Sequence, residues 1–289
     1  MPSEASLATL RLSDVRRRFD KAATLFDEAD FVHSVTRNGL LARLEPILIE
    51  ARTIVDLGCA TGSACRRLGK QFRRSHVIGV DLALGMLQQM KRKQSWSAKP
   101  SPVQANATAL PFADQSIDVI FANLLLPWID DPARVFKEIA RVLRKDGLLL
   151  FSTLGPDSLQ ELRQAWQSVD IAAHVNRFLD MHDIGDAVVG AGLRDPVLDV
   201  DRLEVTYSDT DTLFRDLTAT GGRNSLQRRN RSLIGKNRFK AMTRALASAG
   251  RGDSIRMELE LVYGHCWGSG SRTSGAEYRI DPAQIVRRR

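Results

Sequence analysis

Cysteine is scarce in this chain. Cys59, Cys65 and Cys266 are the only three, too few for a disulfide framework, and none stands in a C-x-x-C pair. A reducing compartment without a structural metal is the expectation. Long apolar runs are missing as well. The longest, Val119 to Ile129, is too short for a membrane span and contains Asn123 and Pro127. Met1 to Leu12 has no apolar core of a secretory signal, and Glu4 and Asp14 argue against a transit peptide. A cytoplasmic protein with no membrane role is therefore expected. The third absence is local. From Leu217 to Gly252 there is no Asp or Glu, while nine basic residues stand there: Arg223, Arg228, Arg229, Arg231, Lys236, Arg238, Lys240, Arg244 and Arg251.

That gap explains the net charge. The chain has 289 residues with 42 Lys and Arg against 34 Asp and Glu, a formal charge of +8. Outside the gap, basic and acidic residues nearly balance. One basic region on a near-neutral body calls for a local explanation. Nucleic acid is one candidate, but only Phe239 interleaves the basic residues and no Asn-Pro-Pro-Tyr motif of base methylation occurs. Hydrophobic content of 43% and charged content of 26% exclude disordered, collagenous and coiled-coil classes. The length suits one large domain, or a domain with an appendage.

The spacing predicts helix over residues 14–45, where Phe19, Ala22, Phe26, Val32, Val35 and Leu40 recur at helical intervals. Beyond it, short β-branched strands alternate with helices. Strands are expected at 53–57, 76–80, 103–105, 117–121 and 148–151, with helices at 62–72, 86–93 and 132–143 between them. The last has Pro132 at its start and Gly147 past its end, as helix punctuation requires. This alternation means an α/β fold, a mostly parallel sheet with helices on both faces. After Phe151 it loosens: helices are expected at 156–168, 182–191 and 209–220, and strands at 196–206 and 258–267. The basic stretch, 217–252, reads as an insertion carried on the sheet, too poor in large apolar residues to fold alone.

The segment Ile54-Val-Asp-Leu-Gly-Cys-Ala-Thr-Gly62 joins a strand to a helix through a glycine-bearing turn. Glycine lets a backbone approach a ligand closely. The carboxyl end of the first strand of such a sheet is where ligands bind. Asp81 ends the second strand, placed to accept hydrogen bonds from both ribose hydroxyls of a nucleoside. A dinucleotide needs G-x-G-x-x-G for its pyrophosphate. Here Gly58, Ala60 and Gly62 follow Asp56, whose charge repels phosphate and suits a cationic amino-acid end. That favours S-adenosylmethionine over a dinucleotide.

These residues resemble the first motif of the class I S-adenosylmethionine-dependent methyltransferases, usually D-L-G-C-G-T-G, with Ala60 in place of the middle glycine. Asn106 and Ala107 stand where the family often has Asp-Ala against the adenine. Residues 110–119 and 143–149 look like later motifs. The resemblance covers about residues 50–155 and implies the Rossmann-like fold of seven strands. It also implies S-adenosylmethionine as cofactor, S-adenosylhomocysteine as product and no metal. The cofactor contacts would come from Asp56, Gly58, Cys59, Ala60, Gly62, Asp81, Leu82, Asn106, Ala107 and Asn123.

A narrower resemblance lies outside that core. Residues 151–166, from Phe151-Ser-Thr-Leu-Gly-Pro-Asp-Ser to Trp166, look like the signature of the malonyl-acyl-carrier-protein O-methyltransferases. Residues 18–27, 123–128, 180–185 and 262–267 support it. It implies one domain over 1–289: a helical lid at 14–45, a cofactor core at 50–155 and a substrate side at 156–289. It implies methylation of the free carboxylate of malonyl-acyl-carrier protein, giving the methyl ester that starts pimeloyl synthesis for biotin. The related complex I assembly factors that hydroxylate arginine share the Leu-x-Glu-Leu-Arg segment, so that activity stands as the alternative, with other small-molecule or nucleic-acid methylation behind it.

A carboxylate is already ionised near pH 7, so no strong base is needed and no catalytic side chain is assigned. Alignment and partial desolvation are the protein's task. Arg163 is the candidate to orient the carboxylate bidentately, or else a surface arginine paired with Glu161 or Asp157. Phe19 and Phe26 are candidates to lid the pocket, and His182 is a weaker candidate near the substrate. Acyl carrier protein is small and acidic, so Arg223, Arg228, Arg229, Arg231 and Lys236 are candidates for its docking.

Overall fold

The computed structural model describes residues 9–94, 99–227, 229, 235–249 and 254–270. Arg228 and Arg231 lie outside the described residues. The alternating region forms β1 (Thr53–Leu57), α3 (Ser63–Gln71), β2 (His76–Asp81), α4 (Leu84–Arg92), β3 (Ser101–Gln104), β4 (Ile117–Asn123), α5 (Pro132–Val142) and β5 (Leu143–Leu154). Before it stand α1 (Leu12–Ala22) and α2 (Phe31–Leu44). After it come α6 (Gln160–Gln167), α7 (Met181–Gly190), β6 (Arg194–Tyr207), α8 (Thr210–Ala219), α9 (Lys236–Ala249) and β7 (Ile255–Trp267).

The strands form one seven-stranded sheet in the order β3-β2-β1-β4-β5-β7-β6. β1 pairs in parallel with both β2 and β4, while β7 runs antiparallel to β5 and β6. The order therefore reverses at β1 and β4. Their carboxyl ends, Leu57 and Asn123, open the crevice where a doubly wound sheet receives its ligand.

Period-two alternation splits each inner strand between two cores. On β1, Val55 and Leu57 join the cluster under α5 and α7, and Ile54 joins the cluster under α2 and α3. Helix α5 shows how local sequence builds a layer. Pro132 occupies its first turn and the Asp131 carboxylate accepts from Arg134 N at 3.1 Å. Val135, Phe136, Ile139 and Val142 then bury one stripe against the sheet. Each such side chain contributes about 1.5–3 kcal/mol.

Two expectations need correction. Residues 14–45 are not one helix: α1 and α2 are separated by a single 3-10 turn, Phe26–Glu28. Asp27 holds the break, accepting from Thr61 Oγ1 and from Lys93 Nζ at 2.6 Å. Those tertiary bonds override local periodicity and turn Phe26 inward. The basic stretch also contains more structure than an insertion on the sheet suggests. Its helix α9 buries Met242 and Leu246 against Leu162 and Trp166 of α6 and Leu213 of α8. Phe239 lies against Phe214 and Trp166, with centroids 5.3 and 6.5 Å away. The same helix leaves Lys236, Arg238, Lys240 and Arg244 exposed.

Candidate active site

The turn after β1 is bent by three consecutive features. Gly58 and Gly62 have φ of 77° and 78°, and Ala60 between them sits at 46°. Left-handed backbone suits glycine, so Ala60 carries about 1–2 kcal/mol of strain here. Gly58 N and Cys59 N donate to the Val80 carbonyl at 2.8 and 3.0 Å, tying the turn to the end of β2. Ala60 N donates to Asp81 Oδ2 at 2.9 Å and Ala83 N to Asp81 Oδ1 at 2.8 Å. One carboxylate thus fixes both loops. With about four lone-pair positions it retains acceptor capacity for hydroxyls.

Burial pushes the Asp81 carboxyl up to about 6 against the pull of these backbone donors. Asp56 is fully enclosed, 1% exposed, and burial pushes it to about 6 as well. The Cys65 thiol donates to Asp56 Oδ2 at 3.0 Å and lowers it, while the Asp81 charge raises it. Cys59 points away from the turn, with Sγ 3.8 Å from Met90 Sδ, and burial pushes its thiol up to about 11. It therefore stays protonated and is no nucleophile. Asn123 donates from Nδ2 to the His33 carbonyl at 3.0 Å and accepts from Ser152 Oγ at 2.9 Å.

Gly58, Ala60, Asp81, Leu82, Asn106, Ala107 and Asn123 line one cleft at the carboxyl ends of β1, β2 and β4. Asp56, Cys59 and Gly62, expected at the cofactor, do not line it. A nucleoside with a cationic amino-acid end fits this donor set: the Asp81 carboxylate with spare acceptors, the buried acid Asp56 and a backbone open at Gly58, where a Cβ would approach Leu125 Cδ1 to 3.1 Å. The residues present therefore suit S-adenosylmethionine. Helix α1 covers the cleft with Leu12, Val15 and Phe19, and Phe26 closes it from below. Only about 80 Å³ remains open. Pockets for ligands of this kind need about 300 Å³ or more.

A second, larger cavity of about 880 Å³ adjoins the cleft, sharing His33, Leu124 and Trp128 with it. Leu124 has φ of 53°, a strained position where the two spaces meet. One wall is apolar, with Leu154, Leu159, Leu162, Trp166, Val205, Met257 and Leu259. The other carries Arg17, Arg18, Arg223 and Arg229 against Asp14 and Asp216. Asp14 is paired with Arg17 at 2.8 Å and with Arg229 at 2.6 Å, and the Arg229 bond holds its carboxyl below the usual range. Burial, with a smaller contribution from the Arg37 charge, pushes the His33 imidazole down to about 4, so it is neutral near pH 7.

The cofactor half resembles many proteins of this shape. Residues 55–151 match the family model described as "Methyltransferase domain". The crystal structure of the YcgJ protein from Bacillus subtilis superposes with a TM-score of 0.59, at 16% identity, over 81% of this chain and 99% of that one. That likeness shows the fold. Curated relatives extend much further. A malonyl-[acyl-carrier protein] O-methyltransferase from Halorhodospira halophila is 40% identical over 95% of this chain and 95% of its own. One of the same name from Gallionella capsiferriformans is 39% identical over 88% and 89%. The chain belongs to the malonyl-[acyl-carrier protein] O-methyltransferase family. It is thereby an S-adenosylmethionine-dependent methyltransferase.

Within this family fold, the substrate-side residues fall differently from the sequence expectation. Arg163 does not line the large cavity. Its Nη2 donates to the Asn176 carbonyl at 3.4 Å, and it faces a separate groove with Gln160, Arg177 and Asp180. Neither Glu161 nor Asp157 pairs with it among the described residues. His182 has 81% of its side chain exposed and bonds Asp180 at the start of α7, reaching neither space. Phe19 and Phe26 do face the site, but on the cofactor side. Arg229 is 12% exposed in its pair with Asp14, and Arg223 lines the cavity with its guanidinium 5.1 Å from the Phe214 ring. Neither presents an open docking surface; Lys236 does.

Sequence reasoning missed Arg18, Arg223 as a cavity residue, and His33. Arg18 lies in a run of three consecutive arginines, Arg16 to Arg18, which hides which one turns inward. Nothing in the spacing could reveal that Arg18 Nη2 meets the Asn224 carbonyl at 2.6 Å, 206 residues away.

Proposed function

We propose that this chain transfers a methyl group from S-adenosylmethionine to the free carboxylate of a malonyl thioester on acyl carrier protein. The product is the methyl ester that starts the pimeloyl chain of biotin. The observation that carries this reading is the extent of the likeness. Relatives of that name align over 95% of the chain, so the match includes the region after residue 151 that walls the acceptor cavity.

S-adenosylmethionine, when bound, supplies the methyl group on a positively charged sulfur. Asp81 accepts from the ribose hydroxyls while holding the Ala60 and Ala83 loops, and Asp56 offers its charge to the ammonium end. Asn106 and Ala107 border the adenine. The acceptor needs no base, because a carboxylate is ionised near pH 7. The chain's contribution is position and dryness: the apolar wall strips water from the carboxylate, and the shared ring of His33, Leu124 and Trp128 brings acceptor and donor together.

Helix α1 acts as a lid. Space for the cofactor requires it to move, and its latches to the rest of the fold are the Asp14–Arg229 pair and the Arg18–Asn224 bond. Docking of the acidic carrier falls to the exposed face of α9, with Lys236, Arg238, Lys240 and Arg244, where charge speeds encounter and orients the thioester arm. Expression in a biotin-requiring strain that lacks this step should restore growth without biotin. No growth from a folded product that binds S-adenosylmethionine would overturn the reading.

A further inference from the structure

Two buried polar atoms without a partner among the described residues, Arg18 Nε and His33 Nδ1, belong to side chains lining the same cavity. Such atoms are uncommon in a folded protein and ask for an explanation. The cavity's arginines divide into two kinds. Arg17 and Arg229 share the Asp14 carboxylate. Arg18 and Arg223 form no ion pair among the described residues. Arg18 has one bond to a backbone carbonyl, and Arg223 stands over the Phe214 ring. Burial disfavours the charge on both, and Arg223 and Arg229 repel Arg18 further. Asp14 attracts Arg18 but is already bonded to Arg17 and Arg229, so the four arginines of the cavity face two carboxylates, Asp14 and Asp216, and that excess of positive charge works against the fold. An anionic ligand would offset that.

The two cations also stand close to where transfer takes place. Phe19, next to Arg18, meets Trp128 edge-on at 5.1 Å, and Trp128 borders both cavities. A Cβ on Gly221 would come within 3.0 Å of Phe19, so the turn that carries Arg223 packs on the same ring. The helix that carries Arg18 and the turn that leads to Arg223 therefore meet at a ring that borders the junction.

We propose that Arg18 and Arg223 hold the free carboxylate of the acyl substrate, with the neutral His33 Nδ1 as a further donor at the junction. This rests on the reading above that the acceptor is a carboxylate. A carboxylate offers about four lone-pair positions, so two guanidiniums can bind it while one oxygen stays open to the donor cleft. The same pair sets specificity. A thioester without a terminal carboxylate leaves both cations unmatched in a desolvated site, and analogues that leave buried polar groups unpaired are rejected strongly.

The test measures binding of three thioesters by calorimetry, with S-adenosylhomocysteine present. They are malonyl-pantetheine, acetyl-pantetheine and acetyl-4′-phosphopantetheine. The wild-type chain should prefer malonyl- over acetyl-pantetheine by about tenfold or more. Arg18→Gln and Arg223→Gln should each reduce that preference to about twofold or less at saturating S-adenosylhomocysteine. Arg18→Lys and Arg223→Lys keep the charge without the fork and should fall between, which keeps the test valid if a Gln variant does not fold. Retention of the malonyl preference in folded variants would overturn the proposal. So would a selective loss of acetyl-4′-phosphopantetheine binding, which would assign the arginines to the phosphate of the carrier arm. A wild-type malonyl preference without methyl transfer would sink the proposed reaction and leave the carboxylate site standing.

Discussion

Replacing Asp56 by Asn should make the protein more stable and worse at its task. Asp56 is 1% exposed, and burial moves its carboxyl from 3.8 to about 6. That displacement corresponds to about 3 kcal/mol against the ionised form in the folded state near pH 7. Asn keeps an oxygen to accept from Cys65 Sγ, now 3.0 Å from Asp56 Oδ2, and carries no charge to desolvate. Part of the gain is lost because the amide nitrogen finds no acceptor, so a net gain of about 1–2 kcal/mol is expected. In a chain of this size that raises Tm by about 2–8 °C. The sign with pH follows from linkage. The unfolded carboxyl releases its proton near pH 4 and the folded one near pH 6, so wild-type stability falls as pH rises through that window and is level above it. The advantage of Asp56→Asn should thus be larger near pH 8 than near pH 5. Thermal melts at both values measure it, and calorimetry should show affinity for S-adenosylmethionine reduced about tenfold or more. A variant less stable than wild type near pH 8, or with the same difference at both pH values, would refute the reasoning.

Three further outcomes follow from the same geometry. Gly62→Ala sets a Cβ against Met90 Cγ at a φ of 78°, and should cost about 2 kcal/mol or more in urea denaturation. Arg229→Ala removes one of the bonds that hold Asp14 and keeps its pair with Arg17. It should cost about 1–3 kcal/mol and make helix α1 more open to limited proteolysis, an effect that fades below about pH 4 as Asp14 takes a proton. Lys236→Glu with Lys240→Glu should raise KM for malonyl-acyl-carrier protein severalfold and leave KM for malonyl-pantetheine unchanged; equal effects on both would remove α9 from carrier docking.

The parallel half of the sheet was legible because its strands are buried on both faces. β1, β2 and β4 read as short apolar runs ending at Gly58, Asp81 and Asn123, which are also the residues at the crevice. The lining of the smaller cleft was legible for the same reason, since Gly58, Ala60, Asp81, Leu82, Asn106, Ala107 and Asn123 stand at or just beyond the ends of parallel strands. The break between α1 and α2 was not legible: Phe26 fits helical spacing, and only Thr61 and Lys93 reveal why the chain turns at Asp27. The larger cavity was hidden for the same kind of reason. Its walls come from α1, α6, α8, α9 and β7 among other elements, and its arginines from positions 17, 18, 223 and 229. Arg163, on the helix after β5, looked closest by topology but turns to Asn176. The acid-free stretch was informative as a region and misleading residue by residue. Arg229 is a latch, Arg223 faces inward, and the outward charge is on α9.

The most direct test of the central claim is the mass of acyl carrier protein after incubation with this chain and S-adenosylmethionine. The account predicts that malonyl-acyl-carrier protein becomes heavier by one methyl group, with S-adenosylhomocysteine formed in equal amount, and that acetyl-acyl-carrier protein stays unchanged. An unchanged malonyl carrier in the presence of a chain that binds S-adenosylmethionine, or equal methylation of both carriers, would contradict it.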